Sequence, residues 1–278
     1  MPSIKQAIKI SDDTFSVTDV EVDIVNAPAD CDWSRWGMLD DRKSTRMYCF
    51  KKDTKGQIYQ FLFDGKSYTF EETISLSLEG LDDDLHNTEK IGMLSTPNFE
   101  EAVGFKDKEA GKPFLPIPNN YHVYLQKVGN PQHLYQFIWK EGTTNFMPNG
   151  ITRDWFGIND FPADTDWKRW TITYDSNHYQ LSLPAYVVYT FKENSNSELY
   201  FGRYGAVGDE DDGERGVFDV YSYNADAPPI YEEGEEYYGV RKGGNLKIVG
   251  LAEDFEVTDL SMVFDGINTY LYLLADQS

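Results

Sequence analysis

One nine-residue segment occurs twice in this chain of 278 residues. Segment 28–36 reads PADCDWSRW and segment 162–170 reads PADTDWKRW, so seven positions are identical at an offset of 134 residues. A match of this length that includes two tryptophans is not a chance event. It indicates an internal repeat, and a repeat restricts the fold to architectures that stack or close similar units.

Two weaker copies, one between these segments and one after them, show that the repeat occurs four times. Each copy has a short apolar stretch followed by a strand centred on tyrosine, and in three copies a second tyrosine lies 11 residues further on. The apolar stretches are 36–39, 91–94, 170–173 and 260–263, and the tyrosine strands are 46–50, 122–124, 187–191 and 270–272. The later tyrosines are Tyr59, Tyr135 and Tyr200. An alternating strand leads into each unit at 20–24, 74–78, 155–158 and 246–249.

The residue pattern of these stretches favours β-structure. They are rich in aromatic and β-branched residues, they alternate with period two, and Asp-Gly, Gly-Asn-Pro or Gly-Gly turns separate them. The sequence therefore predicts a single all-β domain of four units. Their approximate bounds are 18–70, 71–149, 150–245, and 246–278 combined with 1–17.

The two ends of the chain predict how the array closes. The fourth unit stops six residues after Tyr272 and lacks its third element, whereas segment 4–17 resembles segment 58–70 in its turn and alternation. An N-terminal segment that completes the last unit removes the exposed sheet edges. The sequence thus predicts a four-bladed β-propeller closed by its N-terminal segment.

This pattern resembles the hemopexin-like family of four-bladed repeats. The family's repeats also contain a Pro-and-Asp anchor, an apolar inner strand, a Tyr-x-Phe-Lys strand and an aromatic outer strand. The matching stretch is clearest from Pro28 through 48–52 (YCFKK) to 59–61 (YQF). The units here are longer, segment 33–36 replaces the small residues that follow the family's anchor, and no cysteine pair is placed to join the first and last blades.

Charge and composition exclude several classes of partner. With 25 Lys and Arg against 47 Asp and Glu, the net charge is −22, which disfavours nucleic acid and anionic membranes. The 40% hydrophobic and 15% aromatic content is too high for a disordered acidic chain. The N-terminus lacks a signal-peptide core and no run of eighteen apolar residues occurs, so we expect a soluble cytoplasmic protein.

Almost half of the net charge is concentrated in one insertion of the third unit. Segment 209–236 contains eleven acidic residues and one basic residue, Arg215. Its first run, Asp209, Glu210, Asp211, Asp212 and Glu214, is the candidate site for a basic protein surface or a small cationic ligand. A solvated loop kept soluble by like charge explains the same run, and its spacing does not fit an EF-hand.

The anchor acids offer a second candidate site. One acid per unit, arranged around a central axis, would form a carboxylate ring for a metal ion such as calcium; the candidates are Asp32, Asp84, Asp166 and Asp254. An aspartate before a strand commonly caps a turn, and its recurrence in every unit favours this structural role. No other cofactor is indicated.

The repeated segments also contain a candidate sugar site. Trp33 with Arg35, and Trp167 with Arg169, would present an indole beside a guanidinium, as in a lectin that binds glycans. Trp36 and Trp170 align with Ile91 and Leu260 and are expected in the core.

Catalytic motifs are scarce in the sequence. It contains no HExxH, GxSxG, P-loop or dinucleotide motif, and Cys31 and Cys49 are replaced by Thr165 and Thr190 in the third unit. The favoured hypothesis is therefore a non-enzymatic binding or scaffold module for a basic protein or a small cation. A lectin is the first alternative, and a hydrolase whose acidic residues the sequence does not identify is the second.

Overall fold

The computed structural model describes residues 2–11, 13–40, 44–54, 56–76, 91–97, 118–127, 130–140, 145–148, 156–159, 161–175, 185–205, 217–219, 243–265 and 268–275. These residues form β-strands, turns and loops and contain no helix, so the all-β prediction is confirmed. A membrane-spanning helix, which must be long and apolar, is accordingly not found in this part of the chain.

The strands are numbered in chain order. They are β1 (Ser3–Ser11), β2 (Thr14–Glu21), β3 (Asp23–Val25), β4 (Cys31–Asp40), β5 (Thr45–Lys51), β6 (Gln57–Phe63), β7 (Ser67–Leu76), β8 (Ile91–Pro97), β9 (Pro118–Lys127) and β10 (Asn130–Lys140). They continue as β11 (Asn145–Pro148), β12 (Phe156–Asn159), β13 (Thr165–Asp175), β14 (Ala185–Lys192), β15 (Glu198–Gly205), β16 (Val217–Asp219), β17 (Gly243–Val249), β18 (Asp259–Phe264) and β19 (Thr269–Ala275).

Antiparallel pairing arranges most of these strands in four groups. The first group is β4–β5–β6–β7. The second is β8–β9–β10, with β11 and β12 both paired to β10. The third is β13–β14–β15, with β16 and β17 both paired to β15. The fourth is β18–β19–β1–β2, so it combines strands from both ends of the chain.

The N-terminal strand occupies the third position of the fourth group. It pairs with β19 from Ser3 opposite Ala275 to Ile8 opposite Tyr270. Gln6 lies opposite Tyr272 in this ladder, as Gln60 lies opposite Tyr48 in the first group. The N-terminal segment therefore has the register that its similarity to segment 58–70 predicts.

The first strands of the four groups contact one another in cyclic order. β4 contacts β8 and β18, and β13 contacts the same two strands. The Met38 amide donates to Ser261 Oγ at 2.8 Å, and the Met262 amide donates to Thr171 Oγ1 at 3.2 Å. Gly92 fills the corresponding position of β8, where an added Cβ would lie 2.7 Å from Cζ3 of Trp170. Small side chains at this position thus allow neighbouring first strands to approach closely.

The outer strands join each group to the next by parallel pairing. The four parallel pairs are β7–β11, β12–β16, β17–β2 and β3–β7. The predicted lead-in segments overlap strands of these pairs, namely β2, β3, β7, β12 and β17. As a result, the predicted unit boundaries at 70/71 and 245/246 fall inside β7 and β17.

Two hydrophobic clusters lie on opposite faces of the fourth group. Leu260, Met262 and Ala7 pack with residues of the third group, including Tyr189 and Phe201. Their strand neighbours point the other way, since Val263 and Ile4 pack with Trp36, Met38 and Phe61 of the first group. Because both faces of this group are covered, β18 and β19 are buried along most of their length.

This packing predicts different effects for two isoleucines of β1. Ile4 is 2% exposed and Ile10 is 61% exposed. We expect Ile4→Ala to lower the free energy of unfolding by about 2–4 kcal/mol, because it leaves a cavity between two groups. Ile10→Ala, the matched control, should change it by less than about 0.5 kcal/mol. Urea unfolding followed by tryptophan fluorescence measures both, and equal effects would contradict the placement of β1.

Candidate functional site

The repeated segments form two similar β-bulges, which we call the twin bulges: residues 33–35 in β4 and residues 167–169 in β13. Pairing with β5 passes from Asp32 opposite Phe50 directly to Trp36 opposite Cys49. Pairing of β13 with β14 skips the same three positions. A bulge interrupts the alternation of a strand and redirects the inserted side chains. The twin bulges therefore place the predicted Trp and Arg residues outside the regular strand pattern.

An ion pair spans each of the twin bulges. Arg35 Nε donates to Asp32 Oδ2 at 2.7 Å, and Arg169 Nε donates to Asp166 Oδ2 at 2.7 Å. Each guanidinium also lies over a phenylalanine ring of the next strand, with Cζ 4.5 Å from the ring centroid of Phe50 or Phe191. The sequence predicts that each arginine lies beside a tryptophan. In the structure each guanidinium instead contacts an aspartate and a phenylalanine of its own strand group.

Arg169 additionally connects the third group to the chain that enters the fourth. Its Nη1 donates to Asn196 Oδ1 at 2.9 Å and to the Val257 carbonyl at 3.1 Å, and its Nη2 donates to the Ser195 carbonyl at 3.0 Å. Hydrogen bonds from a buried guanidinium to several backbone segments stabilise their relative positions. The geometry of Arg169 is that of a structural connector.

The tryptophans separate as the sequence predicts. Trp36 and Trp170 are 0% exposed and belong to the core. Trp33 and Trp167, in the twin bulges, are only partly buried. The Trp33 ring is 5.9 Å from Phe61, and the Trp167 ring is 5.0 Å from Phe161. Both residues of the twin bulges are therefore partly exposed, unlike the two core tryptophans.

The anchor aspartates Asp30 and Asp164 accept hydrogen bonds from tyrosine hydroxyls, which the sequence pattern did not predict. Tyr59 Oη donates to Asp30 Oδ1 at 2.8 Å, and Tyr200 Oη donates to Asp164 Oδ1 at 2.9 Å. The pKa of Tyr59 is raised to about 12, mainly by burial and to a smaller extent by the hydrogen bond to Asp30. The recurrence of an anchor Asp with a later Tyr in both units was the signal that could have revealed this pairing.

The four candidate metal ligands do not occupy equivalent positions. Asp32 and Asp166 pair with arginines, and Asp84 lies outside the described residues. The Phe255 amide donates to the Ala252 carbonyl, as the Cys31 amide donates to the Pro28 carbonyl, so Asp254 corresponds to Asp30 instead of Asp32.

A metal ion fits poorly at the carboxylates that the structure shows. A cation at Asp32 would have to displace the guanidinium of Arg35 and the Ser34 hydroxyl, which donates to Asp32 Oδ1 at 2.6 Å. Within the described ranges, no three His, Cys, Asp or Glu side chains are grouped closely enough to hold a metal. The carboxylate ring stays a prediction of the sequence.

The electrostatics of the described carboxylates favour structural roles. Burial raises the pKa of Asp32, but hydrogen bonds from Ser34 and Arg35 and the charge of Arg35 together lower it below its ordinary value. Backbone hydrogen bonds from Ser67 and Lys66 lower the pKa of the exposed Asp64. A general acid needs the opposite shift, so neither residue supports the hydrolase alternative. The candidate partner residues Asp209, Glu210, Asp211, Asp212 and Glu214 lie outside the described residues.

Comparison with known proteins identifies no family: no protein-family model matches the chain, and no curated protein is significantly similar to it in sequence.

The ion pair of the first bulge predicts a pH-dependent loss of stability. Because the pKa of Asp32 is lowered in the folded state, its contribution is present above the ordinary value of 3.8 and is lost as the pH falls through the folded-state value. Asp32→Asn should therefore destabilise the protein by about 1–2 kcal/mol at pH 7, and this loss should shrink as the pH falls from 3.8 through the folded-state pKa. Urea unfolding at pH 7 and at a series of acidic pH values measures the difference. Asp19→Asn, at an exposed position of β2, is the control; an equal loss in the control, or a pH-independent loss, would contradict the ion pair's role.

Proposed function

We propose that this chain is a non-enzymatic binding module built on a closed four-bladed β-propeller. The four antiparallel groups correspond to the blades, and their first strands would line the central axis. The observation that carries this architecture is its cyclic connectivity. β4, β8, β13 and β18 contact one another in a ring, and parallel pairs link the outer strands of successive groups around the same circuit.

The pairing of β1 with β19 supports closure of this propeller. It gives the fourth group the same four-strand arrangement as the first, and it covers the edge that β19 would otherwise expose. The order of elements is the one found in hemopexin-like repeats. We propose a relationship to that family on this arrangement.

The proposed ligand is a basic protein surface, recognised by the acidic run at 209–214. In the described part of the chain, Asp30, Asp32, Asp164 and Asp166 all accept internal hydrogen bonds. The other units of the sequence contain no acidic run that corresponds to residues 209–214. The acidic run lies in the sequence between β15, which ends at Gly205, and β17, which begins at Gly243, and these two strands pair in the third group. Charge that is concentrated in one segment suits electrostatic recognition.

Charge-neutralising variants test this assignment. In one variant, Asp209, Asp211 and Asp212 become Asn while Glu210 and Glu214 become Gln. We expect about a tenfold loss of affinity for a synthetic lysine-rich peptide, since five favourable charge contacts are removed. Isothermal titration calorimetry at low and at physiological salt measures the loss and its salt dependence.

A matched variant controls for net charge. It neutralises five exposed acids elsewhere, namely Asp19, Asp23, Glu193, Glu253 and Glu256. Both variants lose the same charge, so only the first should bind the peptide weakly. If both bind equally weakly, the attraction comes from the whole surface and the proposed site is wrong.

The twin bulges favour glycan binding as a second candidate function. Their half-buried tryptophans, Trp33 and Trp167, are supported by phenylalanines and held in bulges braced by ion pairs. Rigid aromatic surfaces of this kind suit stacking against a sugar ring. The two related bulges would give two similar sites in each chain.

Leucine substitutions test the glycan hypothesis while keeping apolar packing. We expect a glycan-array signal that falls by about half in Trp33→Leu and in Trp167→Leu, and that disappears in the double variant. Circular dichroism and the unfolding midpoint establish that the variants are folded. A wild-type protein that binds no glycan on the array would remove this candidate.

A further inference from the structure

The only two cysteines of the chain lie in the first strand group and flank one of the twin bulges. Cys31 begins β4 and lies opposite Lys51, whereas Cys49 of β5 lies opposite Trp36. The bulge residues 33–35 therefore lie between Cys31 and Trp36, the residue that is opposite Cys49. Both side chains belong to the hydrophobic cluster between the first and fourth groups, at 2% and 0% exposure.

The two thiols are neighbours in this cluster. They form a side-chain hydrogen bond, and this bond, together with burial, raises the pKa of Cys49. Cys31 and Cys49 lie diagonally across the β4–β5 ladder and not directly opposite each other. A diagonal pair on one face is farther apart than a directly opposite pair, so formation of the covalent bond needs a local approach of the two strands beside the bulge.

The third group shows what these positions do without sulfur. Thr165 Oγ1 donates to the Pro162 carbonyl at 2.6 Å, and Thr190 Oγ1 donates to the Asp166 carbonyl at 2.8 Å. Each hydroxyl therefore satisfies a nearby backbone acceptor, whereas the thiols of the first group pair with each other. The two bulges share their Asp–Arg ion pairs and their guanidinium–phenylalanine contacts.

We propose that Cys31 and Cys49 form a reversible disulfide that fastens the first bulge to β5. With oxidised glutathione as the oxidant, one cysteine thiolate attacks a glutathione sulfur and releases one glutathione thiolate. The second cysteine then displaces the other glutathione from the mixed disulfide. One S–S bond forms, one S–S bond breaks, the two cysteines lose two protons and two electrons, and two molecules of reduced glutathione are produced.

The reaction should be slow, because both sulfurs are buried and the raised pKa of Cys49 leaves little of its thiolate at neutral pH. Once formed, the disulfide would hold both ends of the bulge that carries Trp33, while the Trp167 bulge would be unaffected. Oxidation would thus make two related surfaces respond differently to redox conditions. This inference does not depend on which ligand the protein binds.

Mass spectrometry of the native full-length chain tests the proposal. After long incubation with oxidised glutathione at mildly alkaline pH, we expect the intact mass to fall by two hydrogen atoms. Trypsin separates the cysteines into peptides 10–35 and 47–51, so a linked pair of these peptides identifies the bond. Dithiothreitol should restore the original mass. Free thiols in the native chain that oxidise only after urea unfolding would overturn the proposal, as would linkage only between chains.

Thermal unfolding provides a second measurement. The oxidised chain should unfold roughly 5 °C higher than the reduced chain, because the bond restricts the unfolded state. The double variant Cys31→Thr/Cys49→Thr copies the third group and should show no shift with glutathione. An oxidised wild type that unfolds at or below the reduced midpoint would show that the native geometry opposes the bond and would overturn the proposal.

Discussion

The antiparallel pairing of β1 with β19 is the interaction on which both described cores depend. It places Ile4 in the cluster between the fourth and first groups and Ala7 in the cluster between the third and fourth. One strand therefore contributes to the packing on both faces of its group. Without it, β19 would expose its backbone donors and acceptors, and both clusters would lose part of their surface. The contacts between groups consequently depend on a pairing that spans almost the whole length of the chain.

Close approach of the first strands imposes a second constraint, on side-chain size. Thr171 and Ser261 accept amide hydrogen bonds from neighbouring strands, while Gly92 leaves space for the indole of Trp170. The three residues differ chemically but satisfy the same steric limit. The aspartates next to the twin bulges also have internal partners. Asp32 and Asp166 form ion pairs with arginines, and Asp30 and Asp164 accept hydrogen bonds from tyrosine hydroxyls. The most conspicuous sequence motif of this chain therefore serves largely to build its fold.

The repeat pattern predicted much of the fold, because period-two alternation and tyrosine spacing report directly on strands and their register. Tyr48, Tyr189 and Tyr272 each lie opposite the small residue of their first strand. Bulges, the turn of the fourth unit and the parallel outer strands are features that this pattern does not report. The pairing of Asp32 with Arg35 exists because a bulge brings residues i and i+3 together, which a regular strand does not do. Asp254 corresponds to Asp30, and the sequence does not show this because the turn of the fourth unit lacks the Pro and Trp residues that align the first and third units. Parallel pairing of the outer strands leaves no periodic signal, so the unit boundaries were placed inside strands.

Comparison of the first and third groups separates the residues that hold the fold from those that are free to differ. The Asp–Arg ion pairs, the guanidinium–phenylalanine stacking and the Asp–Tyr hydrogen bonds are nearly superimposable in their distances. The cysteines and threonines differ, as do the exposed bulge residues Ser34 and Lys168 and the acidic insertion of the third unit. The shared contacts hold the same bulge geometry in both groups, so the two groups accommodate these differences on one framework. They are consequently the positions at which the two groups can acquire different binding properties on the same framework.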